Sequence, residues 1–400
     1  MKIFLLSPIY VTSTPESGAT PVVHYFVKEW VKQGHEVYVF NLRAKFPSIY
    51  YWVSQKIQHL LYSKTGIPVP TREPIDSFDV KDGVNVQCVC LKKVIPHSKY
   101  KQYQIDYAVD VICNGCIKYG VPDVFVGHWD NPQLHVLNRL KELYHKPTAL
   151  VLHNNVFNLE KTYGSGVVNM LQKIDIIGFR SIIGKKNFEA KYFRPKKSFI
   201  ASSGISEKFV KAGENFTPSF EKNVKNFIFV GSLISRKYPC EILKALLIAY
   251  KDKNFKVTFI GDGNEKKSIE KFATENGMEN NVIFTGRIDR YKIIEYLKNS
   301  EVFIMISSGE IFGLVYLEAM ALGLIPIGSR NEGIDGIISD GINGFLCKAG
   351  DVDDLAKTII RLKKMSSEQL MTISKNAKST AMEYTDTNVA LHYLENLKVR

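Results

Sequence analysis

The stretch EVFIMISSGEIFGLVYLEAMALGLIPIGS, Glu301 to Ser329, reads as strand, turn, helix, strand. Glu301 to Ile306 is an apolar run, Ser307 to Gly313 a turn of mostly small residues, and Leu314, Leu317, Met320 and Ala321 recur at helical spacing before a second apolar run, LIPIGS. A strand running into a helix start presents backbone N–H groups near Gly313, Leu314 and Val315. It also aims the positive end of the helix dipole at the same point, an arrangement that holds phosphate. Two carboxylates flank that point: Glu310 before the helix and Glu318 about one turn inside it. Both are placed to meet hydroxyls beside a bound anion, and a sugar nucleotide carries hydroxyls on either side of its diphosphate. Taken singly, each is equally the solvated acid that a helix start favours.

Working outward, apolar strands alternate with amphipathic helices in both halves, the pattern of doubly wound parallel sheets. In the first half KIFLLSPIY is a strand, Val22 to Gly34 a helix closed by its glycine, and HEVYVFNL the next strand. PDVFVGHW, PTALVLHNN, a strand near Ile174 to Gly178, and KSFIASSG follow. In the second half the strands are FIFVGSL, FKVTFIGDG, NVIFTGRI, EVFIMISS and LIPIGS. The polar stretch Ala212 to Asn226 reads as the linker region between halves. In open α/β sheets ligands bind outside the carboxyl ends of the strands, which is where the Gly, His and Ser residues of these runs fall.

The Glu-x7-Glu string EIFGLVYLEAMALGLIPIG resembles the signature of the family 4 retaining glycosyltransferases. That resemblance implies the GT-B fold: two Rossmann-like domains facing across a cleft, with a C-terminal helix crossing back to the first. The expected domains are 1–205 for the acceptor, 206–385 for the nucleotide sugar, and 386–400 for the returning helix. It implies that Glu310 faces the transferred sugar, that Glu318 holds the ribose hydroxyls, and that the backbone of Phe312, Gly313, Leu314 and Val315 contacts the diphosphate. GSLISRKYP, after the FIFV strand, matches the family in Gly231, Leu233 and Lys237. It departs where Ser232 replaces an Arg and Tyr238 a Gly. A leaving nucleoside diphosphate needs fixed cations, and Arg236 and Lys237 occupy that place.

FIGDGNE and FTGRI also resemble family strand ends, so Gly261 is expected to admit a ligand closely, and the Arg287 to Ile288 backbone to hold the base. NEGIDGIISDGINGFL is similar to the family's glycine-rich loop. A dehydrogenase reading of GDGNEK fails, because GxGxxG needs a third glycine near Ile269. In the first half, Gly18 lies in a loop that the resemblance sets beside the diphosphate. His128 matches the histidine near the transferred sugar, and His153 is a second strand-end histidine.

Composition bounds the remainder. The chain has 400 residues, 45% hydrophobic, and a net charge of +13. Residues 1–200 carry 26 Lys and Arg against 15 Asp and Glu, and residues 201–400 carry 27 against 25, so the basic character belongs to the first half. A basic face suits an anionic membrane surface or a lipid pyrophosphate; nucleic acid is disfavoured because no basic helix, zinc finger or aromatic nucleic-acid motif accompanies it. Arg43 to Arg72 holds five basic residues and no acid, interleaved with Tyr50, Tyr51, Trp52 and Tyr62. Ile49, Val53, Ile57, Leu60 and Leu61 give it one apolar face, which either touches a headgroup layer or packs internally. No apolar run reaches the roughly 18 residues of a membrane span, and six sparse cysteines fit a reducing compartment. The expected location is therefore cytoplasmic, with peripheral contact at the inner membrane face. Cys113 and Cys116 form a lone CxxC that reads as helix packing, and Asp351, Asp353 and Asp354 as a helix cap; no metal or other cofactor is expected.

The expected function is transfer of a sugar from a nucleotide-diphosphate donor to a glycan or glycolipid hydroxyl, in cell-surface polysaccharide assembly. A non-catalytic sugar-nucleotide-binding subunit and a nucleotide-sugar epimerase are the alternatives.

Overall fold

A computed structural model describes residues 1–12, 21–52, 54, 57, 72–94, 98–153, 159–220 and 224–398. Gly18, Val53, Leu60, Leu61 and Tyr62 lie outside the described residues, as does the side chain of Tyr50. The chain divides into two compact units, the first built from Met1–Gln58, Pro68–Ser203 and Asp386–Arg400, the second from Gly204–Thr385.

The first unit is an eight-stranded sheet: β1 Lys2–Ser7, β2 Glu36–Lys45, β3 Ser77–Lys81, β4 Val84–Lys92, β5 Val124–His128, β6 Thr148–Leu152, β7 Ile176–Phe179 and β8 Ser198–Ile200. Its order is β3-β4-β2-β1-β5-β6-β7-β8, parallel except for the β3–β4 hairpin. β5 and β6 are buried along their whole length, as expected of parallel strands covered by helices on both faces. The C-terminal helix, Asp386–Leu397, packs here: Trp30 Nε1 donates to the Ala390 carbonyl at 3.0 Å, and the Trp30 and Tyr393 rings meet edge to face at 4.9 Å. A helix more than 350 residues downstream thus completes the first unit's core.

The second unit is a six-stranded parallel sheet: β9 Asn226–Val230, β10 Lys256–Ile260, β11 Val282–Gly286, β12 Val302–Ile304, β13 Ile325–Ser329 and β14 Phe345–Cys347. The order β11-β10-β9-β12-β13-β14 reverses between β9 and β12, where Phe227 pairs with Val302 and Ile228 with Phe303. The loops leaving β9 and β12 therefore open side by side at a topological switch point. The first unit reverses in the same way between β1 and β5.

The described residues of Ala212–Asn226 do not form a linker. Helix Glu207–Glu214 and the following turn belong to the second unit's core, with Phe209, Phe220 and Val224 buried. Lys378 Nζ donates to the carbonyls of Gly213 and Phe216 at 2.5 and 3.2 Å. Polar composition concealed this seating because the buried residues are few and irregularly spaced. At Gly213 an added Cβ would stand 2.1 Å from the Ala321 carbonyl oxygen. Gly213→Ala should therefore lower the unfolding free energy by about 1–3 kcal/mol, read by urea denaturation; a variant as stable as wild type would contradict this seating.

Candidate active site

The site grows from the β9/β12 reversal. After β9 the chain passes Gly231 and makes a short 3-10 turn, Ser235–Lys237, before helix Pro239–Ala249. Tyr238, between turn and helix, takes φ 50° and ψ 45°. A left-handed conformation favours glycine, so Tyr238 keeps the backbone path expected of a glycine at that position. Its ring lies over Gly350, where a Cβ would come within 2.8 Å, and its hydroxyl is 3.3 Å from Ser308 Oγ.

The loop leaving β12 carries Glu310. Lys237 Nζ lies 3.1 Å from Glu310 Oε2, and Arg236 Nη1 is 3.8 Å from the same oxygen. The loops are joined by their backbones as well, the Ser308 amide donating to the Arg236 carbonyl at 2.8 Å. Arg236 also donates to the Ser308 carbonyl at 3.3 Å. Lys237 and Glu310 are largely enclosed and Arg236 is half open, so two cations and one carboxylate converge at the switch point.

Gly313, at φ 80°, caps helix Leu314–Ala321, and an added Cβ would fall 2.6 Å from the Tyr316 ring. Glu318 sits in this helix with only 4% of its surface exposed. Burial pushes its pKa up, and the charge and hydrogen bonding of Arg290 pull it back. Arg290 Nε and Nη2 lie 2.7 and 2.5 Å from Glu318 Oε1. Arg290 belongs to the loop after β11, which also carries Arg287 and Ile288, so the expected base-holding loop and the expected ribose carboxylate are in contact. The close approach that Gly261 permits is that of a neighbouring loop, since a Cβ there would lie 1.9 Å from the Gly231 carbonyl oxygen.

Two residues escaped the sequence reading. Arg290 lies three positions beyond Arg287, but nothing in RIDRY indicates that it reaches a helix of another βα unit. Glu332, in the NEGIDG loop after β13, accepts the Glu310 amide at 2.8 Å, while the Gly333 amide donates to the Glu310 carbonyl at 2.8 Å. Burial raises the Glu332 pKa, with backbone donation from Gly309 and Glu310 opposing it. This carboxylate fastens the turn that presents Glu310.

His128 belongs to the first unit. Its ring is fully buried, with Nδ1 at 2.8 Å from His153 Nε2 and Nε2 at 3.1 Å from the Tyr393 hydroxyl. His153 in turn stacks on Trp129 at 3.8 Å between centroids. Burial, and then the Arg180 charge, press the His128 pKa down to about 3, and His153 is depressed for the same reasons. The pair is neutral, one ring donating to the other. Asp351 caps helix Val352–Lys363 by accepting from the Asp354 amide, as the Asp run suggested.

The family profile of the glycosyl transferases group 1 matches residues 213–380, inside the second unit. Residues 213–380 are thus similar to a group 1 glycosyltransferase domain, in a chain of GT-B fold. The chain is 33% identical over 140 residues to the N-acetyl-alpha-D-glucosaminyl L-malate synthase of Bacillus anthracis, covering 35% of this chain and 36% of that protein. It is 23% identical over 369 residues to an uncharacterized glycosyltransferase of Methanocaldococcus jannaschii, covering 86% of this chain and 94% of that one. Among solved structures, Anabaena HepE in complex with UDP and glucose superposes with a TM-score of 0.65 at 17% identity, over 99% of each chain.

The buried histidine pair has a measurable consequence for the stability of the chain. Because the folded His128 pKa lies below the unfolded value of about 6.5, the unfolded chain binds more protons at mildly acid pH. The stability contribution is complete above that value and is lost as pH falls toward about 3. Acidifying from pH 7 to 5 should lower the unfolding free energy by up to about 1.4 kcal/mol per pH unit for each histidine. His128→Gln should flatten that slope in denaturation curves; an unchanged slope would locate the acid-sensitive group elsewhere.

Proposed function

We propose that this glycosyltransferase is a retaining, metal-independent enzyme of family 4 type that moves a sugar from a nucleoside-diphosphate donor to a glycan or glycolipid hydroxyl. The observation that carries the proposal is the contact of Lys237 and Arg236 with Glu310 beside the helix start at Gly313. When the bond between the anomeric carbon and the phosphate oxygen breaks, negative charge grows on the diphosphate. Lys237, Arg236 and the first-turn amides are fixed where they stabilise it, and groups already oriented pay no reorganisation cost in the transition state. Glu310 orients the sugar, and Glu318 accepts from the ribose. The acceptor hydroxyl attacks the anomeric carbon on the face that the leaving group departs, and its proton passes to the departing phosphate oxygen. Two fixed cations take the part that a divalent ion would otherwise play.

A role at the inner membrane face in cell-surface polysaccharide assembly is supported by the basic first half and by the exposure of Ile49 and Trp52, 75% and 85%, within its basic segment. The conformation of Tyr238 supports catalysis over mere binding, because the departure from glycine leaves Lys237 in contact with Glu310.

Thermal-shift screening against UDP-, GDP- and ADP-sugars identifies the donor. With that donor, Glu318→Ala should raise KM by about one to two orders of magnitude, as for loss of hydrogen bonds to a charged group. Lys237→Ala should chiefly lower kcat, by about a hundredfold or more. NMR of the first product should show the donor's anomeric configuration kept. Wild-type kinetics in both variants would refute the assignment, and a free epimerised sugar nucleotide without acceptor would replace it by epimerisation.

A further inference from the structure

We infer that Arg290 is a positioning residue that makes the donor site select ribonucleotides over 2′-deoxyribonucleotides; this rests on the reading of Glu318 as the ribose ligand. A carboxylate with only 4% exposure has lost most of its hydration, and burial alone would favour its neutral form. A protonated carboxyl turns one of its oxygens into a donor and weakens its grip on two neighbouring hydroxyls. Arg290 opposes this with its full charge and the Nε N–H.

The geometry adds direction to the charge. Nε donates to Oε1 at 2.7 Å and Nη2 makes an ion-pair contact with the same oxygen at 2.5 Å, rather than one nitrogen reaching each oxygen. Among the described residues Oε2 receives no hydrogen bond from a protein group. The carboxylate is thus held by one oxygen and presents the other. The guanidinium is itself seated, its central carbon 5.7 Å from the centroid of the fully buried Phe209 ring. Phe209 belongs to helix Glu207–Glu214, the element wedged by Gly213 against the end of the Glu318 helix. Phe209, Arg290 and Glu318 form a stack in which each member restricts the next. A ribose loses a partner for that oriented oxygen when its 2′-hydroxyl is removed. Without Arg290 the carboxyl is free to rotate or to take a proton, and the distinction between the two sugars fades.

The test compares dissociation constants of UDP, GDP and ADP with those of their 2′-deoxy counterparts by titration calorimetry, on wild type, Arg290→Met, Arg290→Lys and Glu318→Gln. The wild type should prefer the ribo form of its nucleotide by about tenfold, the effect of one hydrogen bond to a charged group. Arg290→Met and Glu318→Gln should bring that preference close to unity, with Arg290→Lys between. Adding Arg290→Met to Glu318→Gln should change it no further. A merely structural role for Arg290 would weaken both forms equally and leave their ratio intact, which would overturn the inference. The same holds if wild type binds a nucleotide without preference. Absence of binding to all the nucleotides in wild type would instead refute the nucleotide-sugar reading itself, and the inference with it.

Discussion

The parallel pairing of β9 with β12 is the constraint on which the site depends. These strands are separated by two complete βα units in sequence, yet Phe227 lies beside Val302 and Ile228 beside Phe303. Because the sheet reverses direction here, the loops at their carboxyl ends diverge from a common crevice instead of being covered by one crossover helix. The Lys237–Glu310 contact at 3.1 Å follows from that pairing. So does the backbone hydrogen bond from Ser308 to Arg236, which ties the loops independently of the side chains.

Around this crevice the carboxylates are governed by partners from further loops. Glu310 is held at its side chain by cations from the β9 loop and at its backbone by Glu332 and Gly333 from the β13 loop. Glu318 is held by Arg290 from the β11 loop. Separating a buried carboxylate from its counter-charge leaves an uncompensated ion, a far larger cost than losing a surface pair. The arrangement therefore couples four strand ends, and neither carboxylate is held by its own loop alone.

The first unit shows the opposite use of polar groups. His128 and His153 stand at adjacent strand ends, but Tyr393 from the C-terminal helix closes over His128, and Trp129 stacks on His153. The same helix accepts the Trp30 hydrogen bond. The unit's core is thereby finished by the last segment of the chain, and the histidines are kept neutral by burial.

Much of the strand and helix order was legible because buried parallel strands are short apolar runs and their helices have a plain period. The Glu-x7-Glu signature was legible because strand, turn, helix start and two glutamates all fall within Glu301 to Ser329. Local patterning by itself determined the βα alternation, the helix start at Gly313, the capping role of Asp351 and the basic character of the first half. It points to a linker at Ala212–Asn226, since Phe220 and Val224 reveal their burial only once the core they enter exists. Tertiary structure alone decided that Arg290 meets Glu318, that Glu332 fastens Glu310, that His128 is sealed under Tyr393, and that Gly261 admits a carbonyl. Each of these depends on the distance between loops from different βα units, and that distance is set by strand order in the sheet, which no local spacing of residues encodes.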